Sequence, residues 1–224
     1  MNIRRPVVSF LMRRILNILC RIDNSELSEA LTNNGPLILA VNHINFLEVP
    51  ILVAHSYPLY MTGLVKSETW NNPIMAFLAN TYHAIPIDRK GAFQEAFKKV
   101  VEAVKKGFYV IIAPEGTRSK DGILGKGKAG IVQLALEYDV PVLPVAHYGG
   151  ERIWKNMRRL RRTSFCLRAG KPFRIRYEGK PDRQARDEML GEVMGQIARL
   201  LPMEMRGIYS RHAESDCKYL EFLT

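Results

Sequence analysis

The stretch PLILAVNHINFLEVP, residues 36–50, indicates how this chain folds, because it joins a strand to a helix through a polar turn. Residues 37–41 are a short apolar run after an Asn-Asn-Gly-Pro turn, a pattern typical of a strand. Pro50 opens the next segment, residues 50–57, and proline is tolerated in the first turn of a helix. The turn between the two elements carries His43, and Glu48 follows it among apolar neighbours.

The same alternation continues along the chain. We expect further strands at residues 59–65, 83–87, 108–113, 142–146, 164–167 and 173–177. We expect further helices at residues 73–79, 93–104, 129–137 and 182–201. Such alternation is typical of an α/β fold, so the sequence predicts a single domain with a mostly parallel central sheet flanked by helices. The strands at 164–167 and 173–177 are predicted near an edge of that sheet, and residues beyond 203 show no clear pattern.

Residues 1–22 predict an amphipathic helix. Its apolar residues share one helical face, and they are Val7, Val8, Leu11, Ile15, Ile18, Leu19 and Ile22. Arg13 and Arg14 interrupt the apolar run, which excludes a secretory signal, and no run reaches the ~18 residues that a spanning helix needs. We interpret residues 1–25 as a helix lying in a membrane interface, followed by a domain over 26–205 and a tail over 206–224. The alternative is a first helix packed on the core.

The charge balance favours anionic partners. The formal net charge is +11 and the isoelectric point is about 9.7, which suits nucleic acid, anionic lipid or phosphorylated small molecules. Residues 151–180 hold eleven Lys and Arg against two Glu. With the N-terminal helix, we interpret this segment as a face for an anionic membrane, the alternative being a solvated surface. The three cysteines form no CxxC or Cys/His cluster, so the sequence predicts neither a metal site nor a disulfide framework.

His43 and Glu48 are candidates for catalysis. A neutral imidazole takes a proton from a hydroxyl more readily when a carboxylate holds its other nitrogen. Residues five apart on a regular helix point about 140° away from each other, but the pair can still meet if His43 lies in the turn and Glu48 in the first helical turn. Asn45 is then a candidate cap. The alternative is a strand-end histidine beside a glutamate favoured by the helix dipole.

Two later strand-helix junctions carry residues suited to an anion. In AIPIDRKG, residues 84–91, Arg89 lies where a guanidinium can meet a phosphate, although a surface pair with Asp88 is the alternative. In VIIAPEGTRSKDG, residues 110–122, the candidates follow a buried strand in a row, and they are Glu115, Gly116, Thr117 and Arg118. The glycine lets backbone approach a ligand, the threonine donates a hydrogen bond, and the arginine grips an oxyanion with two N–H groups.

Residues 122–128 fit the first part of a P-loop, GxxxxGK, but two features argue against a nucleotide site. Ala129 stands where the motif needs a Ser or Thr for magnesium, and no strand precedes the motif. We interpret the segment as a turn leading into a helix, from which Lys126 and Lys128 can reach an anionic ligand or lipid.

In this order, the clusters resemble the four blocks of the glycerolipid acyltransferase family, typified by 1-acylglycerol-3-phosphate acyltransferase. NHINFLE matches the family's block of Asn-His, four residues and an acid, and the other three blocks match IPIDR, PEGTRS and VPVLPVAHYGG. The resemblance covers roughly residues 30–205, and its most specific part is EGTRS about 70 residues after the Asn-His block. Glu48 is a departure, because the family usually has Asp there.

The resemblance implies direct acyl transfer with no metal, no other cofactor and no covalent acyl-enzyme. His43 would take the proton from the hydroxyl of 1-acylglycerol-3-phosphate while Glu48 holds the ring. The acyl group would come from a thioester of coenzyme A or acyl carrier protein and yield phosphatidic acid. The acceptor's phosphate would meet Arg89 and residues 115–118, with Lys66 a weaker candidate. The implied location is the cytoplasmic face of a membrane, peripheral or monotopic, with anionic lipid and an acyl carrier protein as partners.

Other functions stay open on the sequence alone. A basic nucleic-acid-binding protein would use residues 151–176, but this segment has little aromatic interleaving and the chain has no RRM, KH or zinc pattern, so we predict no nucleic-acid partner. A lipid-binding homologue that has lost activity is a second alternative, and the Glu48 departure is the feature that would support it.

Overall fold

A central sheet organises the computed structural model, which describes residues 4–88, 93–119 and 121–223. Within these ranges the strands are β1 Cys20–Asp23, β2 Ile38–Val41, β3 Met61–Lys66, β4 Ile85–Ile87, β5 Tyr109–Ile112, β6 Val142–Tyr148, β7 Thr163–Ala169, β8 Phe173–Ile175 and β9 Leu220–Phe222. The α-helices are α1 Arg4–Leu19, α2 Ser25–Asn33, α3 Glu48–His55, α4 Pro73–Thr81, α5 Phe93–Lys105, α6 Gly130–Tyr138, α7 Ile153–Arg158 and α8 Arg183–Arg199.

The strand order is β1-β7-β6-β2-β5-β3-β4, and β8 pairs with both β6 and β9. The five strands β2 to β6 are mutually parallel, so their carboxyl ends lie along one edge of the sheet. Strands β7 and β8 run antiparallel to β6. The predicted α/β fold with a mostly parallel central sheet is confirmed, and its parallel part collects the candidate site residues at one edge.

Each face of the sheet is covered by its own apolar cluster. All four residues of β2 are buried, with Ile38 and Ala40 in one cluster and Leu39 and Val41 in the other. Successive side chains of a strand point to opposite faces, so a strand covered on both sides must be apolar throughout. Helices α5, α6 and α8 pack on the first face, and α1, α2, α3 and α7 pack on the second.

The N-terminal helix divides its apolar residues between the core and the surface. Val8, Met12, Leu16 and Leu19 pack on the second cluster, whereas the large apolar side chains that stay exposed are Val7, Phe10, Leu11, Ile15 and Ile18. Arg5 anchors the helix, because its guanidinium is buried over the Tyr60 ring and donates to the carbonyl of Leu59. The alternative of a helix packed on the core therefore holds for one part of α1, while the membrane interpretation of the exposed part stays a prediction.

Several elements differ from the sequence expectations. The amphipathic helix ends at Leu19, and residues 20–23 form β1, which pairs with β7. Strand β7 lies between the edge strand β1 and β6, which is near an edge of the sheet as expected. The sheet extends beyond residues 26–205 on both sides, because β9 lies in the segment expected to be a patternless tail. Helices α2 and α7 were not expected. Short elements such as these depend on pairing partners distant in sequence, which periodicity does not report.

Across the described ranges, no helix combines the length and the apolar character that a membrane span requires.

Candidate active site

The first two candidates meet at the carboxyl end of β2. His43 lies in the turn after the strand, and Glu48 is the first residue of α3. Nδ1 of His43 contacts Oε1 of Glu48. The His43 side chain is 21% exposed and that of Glu48 is 3% exposed, so the ring reaches the surface while the acid lies beneath it. The turn thus brings together the two residues that a regular helix would separate.

Backbone N–H groups and a second histidine surround the buried Glu48 carboxylate. Its Oε2 accepts hydrogen bonds from the backbone N–H of Ile44 at 3.2 Å and of Asn45 at 3.3 Å. Nε2 of His147 lies 2.8 Å from the same oxygen. The Asn45 side chain accepts from the N–H of Leu47 and so closes the turn that precedes α3. A buried carboxylate is tolerated when donors surround it, and here they also fix its orientation.

Glu115 has a different role from the one expected. Its side chain is buried, Oε1 accepts the backbone N–H of His43 at 2.6 Å, and Oε2 accepts that of Gly125 at 2.7 Å. Burial raises the pKa of this carboxyl group. Both oxygens are engaged with backbone, and a carboxylate repels phosphate. The placement therefore argues against a phosphate-binding role and makes Glu115 a brace between the loops after β2 and β5.

The rest of the PEGTRS loop lies beside His43. The backbone N–H of Ser119 donates to the carbonyl oxygen of His43 at 2.7 Å, so the loop holds both backbone groups of the catalytic candidate. Gly116 has φ of +65°, and an added Cβ there would meet the side chain of Lys128. Thr117 and Arg118 are exposed, with Arg118 directly before Ser119 in the chain. The structure thus brings the Arg118 loop to the His43–Glu48 pair.

Two basic candidates remain, Lys66 and Arg89. Lys66 is exposed at the carboxyl end of β3, opposite Ile87 of β4 in the strand register. It therefore lies on the sheet edge that also carries His43 and the Arg118 loop. Arg89 lies outside the described residues.

The P-loop resemblance at residues 122–128 is excluded by what its amides bind. The N–H of Gly125 donates to Glu115, and the N–H of Gly127 donates to the hydroxyl of Tyr209 at 2.9 Å. A P-loop needs such amides for phosphate oxygens. In this chain Glu115 and Tyr209 accept these two amides instead, and α6 begins only at Gly130.

His147 was not identified from the sequence. It lies near the carboxyl end of β6, inside the stretch VPVLPVAHYGG that was matched as an apolar block. The Asn42 side chain donates to the His147 carbonyl at 3.0 Å and accepts its N–H at 2.8 Å, which joins β2 to β6 directly before the catalytic candidate. A histidine within an otherwise apolar strand pattern was the available signal, but only the fold shows that it lies against Glu48.

An apolar groove of about 510 Å³ lies along α1, α3, α4 and α7. Its lining consists of Val8, Leu11, Met12, Ile15, Leu16, Leu19, Phe46, Leu47, Pro50, Phe77, Leu78, Trp154 and Met157. Phe46 and Leu47 belong to the His43–Glu48 turn, and Phe46 stacks on Trp154 with ring centroids 5.3 Å apart. The volume falls in the range of about 300–1,000 Å³ that is usual for small-molecule sites.

The buried His147 predicts a pH dependence of stability. Burial lowers the pKa of His147 from 6.5 to about 4. A lowered histidine pKa gives stability that is present above pH 6.5 and is lost as the pH falls towards 4. We expect His147 alone to remove about 3 kcal/mol of unfolding free energy between pH 7 and pH 4.

Denaturant unfolding of wild type and His147→Gln at a series of pH values measures this difference. The variant should lack the extra slope of about one proton below pH 6.5. Glu115, whose raised pKa acts with the opposite sign, is present in both chains. If the unfolding free energy of the two chains changed equally with pH, His147 would not be buried in its neutral form.

The paired imidazole and acid lie beside the loop with an exposed arginine, and Phe46 and Leu47 of the same turn line the apolar groove. Residues 21–148, more than half of the chain, match the family model described as Acyltransferase. The chain belongs to the acyltransferase family.

Named relatives point the same way. The chain is 30% identical over 137 residues to a chloroplastic 1-acyl-sn-glycerol-3-phosphate acyltransferase, BAT2, of Brassica napus, a match that covers 59% of this chain and 39% of the relative. It is 34% identical over 119 residues to the 1-acyl-sn-glycerol-3-phosphate acyltransferase of Pseudomonas aeruginosa, covering 52% of this chain and 46% of the relative. The matches thus span less than half the length of either relative.

The fold has a solved counterpart. The crystal structure of the 1-acyl-sn-glycerophosphate (LPA) acyltransferase PlsC from Thermotoga maritima superposes with a TM-score of 0.60 at 20% identity. The superposition covers 84% of this chain and 76% of that one. At this identity the likeness establishes the shared fold.

Proposed function

We propose that the protein is an acyltransferase of glycerolipid synthesis that moves a fatty acyl group from an acyl thioester to 1-acylglycerol-3-phosphate, giving phosphatidic acid. The observation that carries this proposal is the partly exposed His43 ring held by the buried Glu48 beside the Arg118 loop. The names of the relatives support the acceptor, because each describes an acyltransferase for 1-acyl-sn-glycerol-3-phosphate. The thioester carrier is coenzyme A or acyl carrier protein.

The geometry supports a general-base mechanism. Because Nδ1 of His43 faces Glu48, Nε2 is the ring nitrogen that takes the proton from the acceptor's hydroxyl. The hydroxyl oxygen attacks the thioester carbonyl carbon, the new C–O bond forms, and the C–S bond breaks. The imidazolium then returns its proton to the departing thiolate, so the products are an ester and a free thiol. Glu48 stabilises the imidazolium, and general-base assistance of this kind contributes about 10²–10⁴ in rate.

The anion site is assigned to the exposed cations on the same sheet edge. Arg118 and Lys66 meet the acceptor's phosphate, Thr117 donates a hydrogen bond to it, and Arg89 stays a sequence-based candidate. Glu115 supports them as the brace described above. The apolar groove takes an acyl chain, since its lining starts at Phe46 and Leu47 in the catalytic turn and contains only apolar side chains.

Turnover by the purified full chain tests the proposal. We expect mass spectrometry to detect phosphatidic acid when 1-acylglycerol-3-phosphate is supplied with acyl-CoA or with acyl carrier protein thioester. A second candidate, a homologue that binds lipid without turning it over, is favoured if lysophosphatidate binds and neither thioester yields product.

Arg118 provides a prediction on substrate recognition. Arg118→Ala should raise the KM for 1-acylglycerol-3-phosphate by about 10- to 100-fold, the effect of one lost hydrogen bond to a charged group, with a smaller change in kcat. Arg118→Lys should recover a part of the loss, because lysine keeps the charge but not the two-pronged geometry. Steady-state kinetics with varied acceptor measure this. Arg183→Ala, in α8 on the other face of the sheet, is the matched control and should behave as wild type.

We also infer that the protein docks on the cytoplasmic face of an anionic membrane through a face formed by α1 and α7. The exposed Leu11 and Ile15 of α1 line the apolar groove together with Trp154, which is 59% exposed, and Leu160, which follows α7, is 98% exposed. Arg162, which follows α7, links this segment to the end of α1, because its guanidinium donates to the carbonyls of Asn17 and Cys20, each at 2.7 Å. Leu160 is flanked in the sequence by arginines at 158, 159, 161 and 162. In this arrangement the leucine side chain can insert into the lipid while the arginines contact the lipid phosphates.

Replacing apolar side chains of this α1–α7 face should weaken membrane binding. Ile18→Asp and Leu160→Asp should each lower partitioning into anionic vesicles by about tenfold or more, because each loses the burial of one apolar side chain. Neither residue lines the groove, so catalysis with a short, soluble acceptor should persist. Ile208→Asp is the matched control, since Ile208 is 68% exposed in a short turn packed on α8.

Co-sedimentation with vesicles containing phosphatidylglycerol, set against pure phosphatidylcholine vesicles, measures the binding. Equal binding by wild type and both face variants would contradict this docking surface. A DNA or RNA gel shift that both variants abolish, without any vesicle binding by wild type, would favour a nucleic-acid partner instead.

A further inference from the structure

Glu48 stands between two histidines, and the proposed reaction uses only one of them. Oε1 contacts His43, while Oε2 lies 2.8 Å from Nε2 of His147. We propose that His147 is a positioning residue, whose Nε2–H fixes the Glu48 carboxylate in the orientation that places Oε1 against Nδ1 of His43. The role of His147 in catalysis rests on the proposed function, but the orientation itself does not.

The tautomer of His147 follows from its neighbours. Nε2 lies 2.8 Å from the carbonyl oxygen of Asn42 as well as 2.8 Å from Oε2 of Glu48. A nitrogen without hydrogen would turn its lone pair towards two oxygens, so Nε2 carries the hydrogen. Nδ1 is buried and has no hydrogen-bond partner. The ring is therefore a neutral donor whose Nε2–H is hydrogen-bonded to the Asn42 carbonyl, and the Glu48 carboxylate lies against the same nitrogen.

His147 is itself held firmly enough to act as a fixed point. Its side chain is fully buried, and its ring stacks on Phe165 with centroids 5.2 Å apart and an angle of 6° between the rings. Its backbone N–H and carbonyl are both bonded to the Asn42 side chain. Because packing already fixes the His147 ring, little of its conformational entropy is lost when it contacts Glu48. A ring held in this way can keep the carboxylate in one orientation.

The length of Glu48 accounts for its ability to reach both rings. The acyltransferase blocks that this chain resembles usually carry Asp at this position, which is one methylene, about 1.5 Å, shorter. From the first residue of α3, Glu48 places one oxygen against His43 and the other against His147. A shorter side chain on the same backbone would draw the carboxylate back from one of them. Glu48 and His147 therefore act as a pair in this chain.

Two substitutions separate positioning from packing. His147→Gln keeps an N–H donor near the position of Nε2 but loses the ring, whereas His147→Phe keeps a ring that can stack on Phe165 but has no donor. We expect the Phe variant to lose about 10- to 100-fold in kcat with little change in KM, and the Gln variant to retain most of the activity. Thermal unfolding is recorded for both. A packing role predicts the reverse order, with Phe at least as active as Gln, and that result would overturn the proposal.

A readout without substrate keeps this test apart from the test of function. In ¹⁵N-histidine-labelled full chain, the Nδ1–H of His43 against Glu48 should give a downfield proton resonance, assigned by its loss in His43→Ala. The resonance should persist in His147→Gln and shift upfield or vanish in His147→Phe. An unchanged resonance in a folded Phe variant contradicts the positioning role. Absence of turnover in wild type, with these NMR results as expected, contradicts only the proposed function.

A thermodynamic cycle gives an independent check. Glu48→Asp alone should lower kcat by about tenfold or more, because the shorter acid cannot hold both rings. In the His147→Phe background the same substitution should cost much less, since the contact is already lost. Additive losses would show that Glu48 and His147 do not act together.

Discussion

Replacing His43 by Ala is expected to lower kcat by about 10²–10⁴, with little change in stability. The imidazole is the group placed to remove the acceptor's proton, and general-base assistance contributes this order of rate. Its ring is partly exposed, so its removal leaves the core intact. The measurement is single-turnover formation of phosphatidic acid, followed by thermal unfolding of the same preparations.

His212→Ala is the control for this substitution. His212 is exposed and packs against α8 on the opposite face of the sheet, so the variant should turn over as wild type does. Undiminished activity in His43→Ala would remove His43 from the mechanism and would point to another base at the same sheet edge.

The second large effect is expected for Glu48→Gln, which should lower kcat by about 10²–10⁴ and should also destabilise the fold. The carboxylate receives the N–H groups of Ile44 and Asn45 and lies against both histidines. The amide of glutamine has one acceptor oxygen, whereas the carboxylate has two. Its NH₂ group would therefore face N–H donors on one side of the site. His43 then loses the partner that selects its tautomer and stabilises the imidazolium.

The measurement is kcat and KM for the acceptor, together with the unfolding temperature. A nearly unchanged KM is expected, because Glu48 is buried below the ring and does not meet the substrate. Glu102→Gln, an exposed substitution in α5, is the matched control. A Gln variant as active as wild type would show that the charge of Glu48 is not needed, and would favour a binding role for the site over a catalytic one.

The alternation of apolar and polar segments was sufficient to predict most of the sheet. Strands β2, β3, β5 and β6 and helices α5, α6 and α8 fall where periodicity placed them, because each is long or fully apolar. Strands β1 and β9 and helices α2 and α7 were missed, since they are short and depend on pairing and packing with distant residues. Periodicity is a local signal and carries no information on such partners.

The candidate site shows the same division. His43, Glu48, Gly116, Thr117 and Arg118 stand where parallel strands end, a place that the sequence pattern identifies. For Glu115 the pattern gave the location, but only the fold shows that both carboxylate oxygens accept backbone N–H groups, which argues against contact with phosphate. Arg89 lies outside the described residues, so its place in the site stays a prediction.

The sequence by itself determined the α/β architecture and the order of the chemical blocks, since both are written in local patterns of residue type. Only the tertiary structure decided which face of each block meets which neighbour. It placed His147 of β6 against Glu48 of α3, and it turned half of the α1 stripe towards the core. The physical reason is that a contact between residues about 100 positions apart depends on strand order and register, and neither is encoded within any single stretch.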